Sequence, residues 1–146
     1  MTRRRPERAG ALAAAQQALA RRDLSERALR DRLARAGFGP PEVEKTLGAL
    51  RDAGLLDDRR LALRRAEVLA DRGQSDAAIR FDLARQGVSD ELVERAVTEL
   101  EPERERVERI LSRRGVGPKT ARLLARRGFD HDLVDLAARG DVAREA

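Results

Sequence analysis

Apolar residues recur along this chain at helical spacing. Leu12, Ala15 and Leu19 fall at i, i+3 and i+7, Leu29 and Leu33 at i and i+4, and Val43, Leu47 and Leu50 at i, i+4 and i+7. No stretch sustains alternation with a period of two, so strands are not expected. The punctuation between these runs is that of helix ends. Ser25 suits the N-cap of a second helix, Gly37 a left-handed stop, Pro40 and Pro41 the first turn of a third helix, and Gly54 its end.

The same pattern returns fifty residues later. Residues 19–50 align without a gap on residues 69–100, with 13 of 32 positions identical. The matches include Ser25/Ser75, Leu33/Leu83, Gly37/Gly87, Val43/Val93 and Leu50/Leu100. In the second copy Ala62, Ala66 and Leu69 line the first helix, Ser75 caps the second, Gly87 ends it, and Ser89 caps a third carrying Val93, Val97 and Leu100. A more diverged third copy follows at an offset of 41, which places Leu83, Arg85 and Gly87 on Leu124, Arg126 and Gly128. Pro102 is expected to start its first helix, Gly115 to Gly117 to form a turn, Pro118 to open its second helix, and a last helix to run around Asp132 to Ala138.

The expected fold is therefore all-α: three tandem three-helix bundles forming an elongated, curved array. The boundaries read as a basic arm over residues 1–8, repeats over 9–56, 57–100 and 101–138, and a tail over 139–146. Stacked repeats of this kind present an extended surface rather than one deep pocket.

Composition narrows the chemistry. The chain has no Cys and one His, which removes thiolate nucleophiles, disulfides and the common zinc sites. No catalytic, cofactor-binding or metal-ligating residue is expected, and no Walker-type phosphate loop is present. With neither an apolar signal segment nor a membrane-length run, the chain reads as cytoplasmic. Formal net charge is +5, distributed as +5 over residues 1–22, 0 over 23–56, −2 over 57–100, +5 over 101–129 and −3 over 130–146. The stretch Arg113 to Phe129 holds six Lys or Arg and no acid. On a helix from Pro118, Lys119, Arg122 and Arg126 share one face, with Arg113 and Arg114 at the entry turn and Arg127 at the far end. These six residues are the candidate contact to a phosphate backbone, which would be non-specific and salt-dependent. Phe38, Phe81 and Phe129 are all expected to pack in the core, which leaves no ring to stack on bases. His131 is expected at a helix start on the surface.

Three tandem three-helix units, the junction GLLDDRRLA (54–62), RGQSDAAIRFDLARQGV (72–88) and LLARRGFDHDLV (123–134) together resemble the RecX family, bacterial regulators of the RecA recombinase. The family usually has Tyr at the position of Leu55 and an aromatic residue at that of Leu61. The resemblance implies a monomeric regulator without chemistry of its own. It would lie along the groove of the RecA filament and lower ATP hydrolysis, strand exchange and coprotease activity, touching single- or double-stranded DNA through the filament or weakly alone. Asp57 and Asp58 open a helix, where capping and the helix dipole account for them; if they do more, they would meet a basic patch on RecA. The rival reading takes Gly115 to Lys119 as the hairpin of a helix-hairpin-helix motif, whose turn amides would cradle a DNA phosphate.

Overall fold

The computed structural model describes residues 10–139. The basic arm and residues 140–146 of the expected tail lie outside them. Nine helices and no strand occur among the described residues: α1 (Ala11–Arg21), α2 (Glu26–Arg35), α3 (Pro40–Asp52), α4 (Asp58–Asp71), α5 (Asp76–Arg85), α6 (Asp90–Thr98), α7 (Glu103–Arg114), α8 (Pro118–Arg126) and α9 (His131–Arg139). None is long and apolar enough to cross a membrane.

Two compact units divide these residues. The first comprises residues 10–61 together with 86–88, the second 62–85 and 89–139. In the first unit Ala15, Ala18, Leu29, Leu33, Val43, Leu47 and Leu50 close a core, capped by Leu24 and Leu56 and flanked by Phe38. In the second, Val107, Ala121, Leu124, Phe129 and Ala137 form one core, and Ile79, Leu83, Val93 and Ala96, earlier in the sequence, are also buried. At about 0.8 kcal/mol per buried methylene, cores built from Leu, Val and Ala need many such positions, and the helices supply them at every turn.

The inner face of α1 differs from the expected one. Ala11, Ala15 and Ala18 are buried, whereas Leu12 is exposed and Leu19 only packs against the core edge. The cause lies in the linker. Ala11 and Ala15 correspond to the buried Ala62 and Ala66 of α4 at an offset of 51, not 50. α1 leaves through an extended Arg22, whereas α4 closes on Gly73 with φ of +81°, and this change absorbs the extra residue.

Charge pairing repeats with the fold. Arg30 Nε lies 2.7 Å from Glu44 Oε1 between α2 and α3, and fifty residues on Arg80 Nε lies 2.8 Å from Glu94 Oε1 between α5 and α6. Both are bidentate, with second bonds of 3.4 and 3.3 Å. These contacts join helices rather than turns of one helix, so they orient neighbours even though exposed pairs contribute little to stability.

Candidate nucleic-acid interface

The basic stripe of α8 follows from how the helix is anchored. Pro118 occupies its first turn, and Thr120, Ala121 and Leu124 turn inward. With that face buried, Lys119, Arg122 and Arg126 are all exposed. No carboxylate among the described residues pairs with any of them. Unpaired, exposed and on one face, these three cations keep their charge available to a polyanion.

The other predicted cations do not all join that stripe. Arg114 is exposed at the end of α7. Arg113 instead lines a cleft of about 460 Å³ between the ends of α4 and α6 and the side of α7, with Arg109, Glu67, Asp71 and Glu99. Arg127 is half-buried, its guanidinium folded over Gly73 close to Ile110. The cleft wall also holds Arg106, whose buried guanidinium donates to Asp76 Oδ1 at 2.6 Å and to the carbonyls of Gln74 and Glu101 at 2.9 and 3.2 Å.

The glycine turn before α8 is occupied by its own chain. Gly117 N–H donates to the Ala137 carbonyl at 2.8 Å, and Gly115 N–H to that of Leu111 at 2.7 Å. Thr120 Oγ1 donates to the Gly115 carbonyl at 2.8 Å. Both glycine amides are thus taken by carbonyls of the same chain, so neither of these two donors is left for the phosphate of the helix-hairpin-helix reading.

The acidic pair divides its roles. Asp57 is exposed and accepts from Arg60 N–H at 3.1 Å, capping α4. Asp58 is half-buried and reaches away to the first turn of α2, where its Oδ1 accepts from Glu26 N–H at 2.8 Å. Burial pushes the Asp58 carboxyl above its ordinary range, with Glu26 and Asp57 adding to the rise, and the hydrogen bond from the Glu26 amide only partly opposes it. Of the two, Asp57 is the more exposed. His131 is exposed as the first residue of α9. No group of three or more His, Asp or Glu is placed to hold a metal among the described residues.

Phe81 departs from expectation. Phe129 is buried and Phe38 packs against the first core, but Phe81 stands 66% exposed on α5. The Arg85 guanidinium, one turn on, lies 6.0 Å from its ring centroid. The core-facing positions of α5 are taken by Ile79 and Leu83, and Phe81 falls on the opposite side.

Comparison with known proteins decides the family. Residues 11–50, from α1 into α3, match the family model described as RecX, first three-helix domain. The Regulatory protein RecX of Chromohalobacter salexigens is 37% identical over 125 residues, covering 80% of this chain and 82% of that protein. The chain belongs to the RecX family. The Regulatory protein RecX of Halorhodospira halophila is 33% identical over 135 residues, 86% of this chain and 84% of its own length. The crystal structure of RecX from Lactobacillus salivarius superposes with a TM-score of 0.70 at 18% identity, covering 87% of this chain and 91% of that one. A second RecX crystal structure matches with a TM-score of 0.67 over 87% of this chain. The RecX fold of regulatory proteins thus extends through both units.

Proposed function

We propose that this chain binds the RecA–DNA filament and restrains it, lowering ATP hydrolysis, strand exchange and coprotease activity. The observation that carries this reading is kinship with regulatory RecX proteins over four-fifths or more of the chain. The unpaired stripe of Lys119, Arg122 and Arg126 supports a contact to the phosphate backbone, with Arg114 beside its entry turn. Arg113 and Arg127, turned toward the cleft and Gly73, contribute field rather than direct contact. Asp57 is the acidic residue available to a basic patch on RecA. The protein acts as a monomer in the cytoplasm and needs no cofactor in this reading.

The test is the DNA-dependent ATPase of RecA titrated with the protein. A saturable fall in rate at protein concentrations below those needed to coat the DNA supports regulation of the filament. A fall that appears only as the DNA itself becomes saturated would mean competition for DNA.

A further inference from the structure

The geometry points to a base-stacking site at Phe81 and Arg85: we infer that the α5 face takes an unstacked nucleobase of single-stranded DNA on the Phe81 ring, with Arg85 on the adjoining phosphate. This deepens the reading of the chain as a binder of DNA in the RecA filament and rests on it.

Three observations carry the inference. Phe81 is the most exposed of the large hydrophobic residues among those described, its solvent side is flanked by the small, exposed Ala77 and Ala84, and the Arg85 guanidinium lies over one face of the ring, which leaves the other face for a base. The fold does not ask for it: the aligned positions in the other repeats are Asp31 and Arg122, both exposed and polar. The ring is therefore not used in packing the helix and is open to contact from outside.

The charge beside the ring selects the occupant. The neighbouring Arg80 and Asp82 are consumed by Glu94 and Arg65, whereas no carboxylate among the described residues pairs with Arg85. Arg85 also aligns with Arg126, the end of the α8 stripe, and with the exposed Arg35 of α2. A π face beside one cation that no carboxylate neutralises, on a basic protein, matches a base and its phosphate. A protein partner would call for a wider apolar core than one ring between two methyl groups. The two basic features share a unit: the Arg127 carbonyl, directly after Arg126, accepts from Ser75 N–H at 3.2 Å, which joins the end of α8 to the start of the helix that carries Phe81.

The experiment is fluorescence anisotropy of three labelled strands: oligothymidylate, an abasic strand of equal length, and a duplex. Phe81→Ala is expected to weaken oligothymidylate binding about tenfold, the loss typical of one stacked base. Abasic and duplex binding should stay within twofold, Phe81→Trp should restore the parent affinity, and Arg85→Ala should weaken all three. Because Phe81 is exposed, Phe81→Ala should keep the parent Tm, which is measured alongside. Equal losses on oligothymidylate and abasic strands, no loss on either, or no binding of the parent to oligothymidylate would overturn the inference. So would a Phe81→Ala defect seen only on RecA-coated DNA, which would assign the ring to a protein partner. The parent's inhibition of RecA ATPase, measured separately, shows whether the regulatory reading stands when the stacking site fails.

Discussion

A Cβ added to Gly128 would lie 2.7 Å from Ser75 Oγ. The same relationship occurs one repeat earlier, where a Cβ on Gly87 would lie 2.8 Å from Ser25 Oγ. In each case the serine caps the middle helix of its repeat, accepting from Ala28 or Ala78 N–H at 3.0 Å, and the glycine follows the middle helix of the next. Both glycines also hold positive φ, +87° and +89°. In the first unit Ser25 Oγ donates to the Gln86 carbonyl, and in the second Ser75 N–H donates to that of Arg127. An acidic side chain completes each contact: Asp58 accepts from Glu26 N–H and Glu103 from Asp76 N–H. The aligned position in the third repeat is Val116, 56% exposed and without a cap of this kind.

Substitution at these glycines is expected to be costly. Gly128→Ala combines a left-handed backbone with a contact on Ser75, and should lose about 1–3 kcal/mol, read as a Tm fall of about 3–10 °C. Ser75→Ala alone loses a cap, about 1 kcal/mol. The double variant should be more stable than the sum of the two predicts, since removing the oxygen gives the new methyl room. Strict additivity would show that the close approach is not what excludes a side chain.

The raised carboxyl of Asp58 gives a stability effect of definite sign. Its folded pKa lies above its unfolded one, so the folded chain holds that proton more tightly, and ionisation costs stability as pH rises through this range. Asn can still accept from Glu26 N–H without charge. Asp58→Asn should therefore raise Tm relative to the parent at neutral pH, with the difference shrinking toward zero at or below about pH 4. A loss of Tm of the same size at both pH values would mean that the negative charge is what the N-terminus of α2 requires.

Removing the α8 stripe should act on binding and spare the fold. Lys119→Ala, Arg122→Ala and Arg126→Ala together remove three exposed, unpaired cations, so Tm should hardly change. Affinity for single-stranded DNA should fall, and the slope of log affinity against log salt should drop by about 2. An unchanged slope would place the phosphate contact elsewhere.

Much of this was legible in the chain. Ser25, Ser75 and Ser89 announce helix starts, and Gly37, Gly87 and Gly128 helix ends, because capping and left-handed turns are local chemistry. Which end meets which start is not local. Alignment sets Ser25 beside Ser75 and Gly87 beside Gly128, yet the contacts run from Ser25 to Gly87 and from Ser75 to Gly128. Asp57 acts as its position suggests, but Asp58 serves α2, distant in sequence. The buried face of α1 is not legible locally, because Leu12 and Leu19 mark one side of the helix while Ala11, Ala15 and Ala18 make the core. Phe81 is a core residue by type alone, whereas the aligned Asp31 and Arg122 mark its position as solvent-facing. The stripe on α8 followed from helical periodicity, whereas the turning of Arg113 to the cleft and of Arg127 onto Gly73 depends on neighbouring helices that periodicity does not describe.

The central claim is tested most directly by titrating the labelled protein in parallel with RecA-coated single-stranded DNA and with the same DNA naked, at physiological salt, and following anisotropy. Recognition of the filament requires much tighter binding to the coated strand. Equal affinity for both would contradict it, and would leave a DNA-binding module with the RecX architecture but without recognition of RecA.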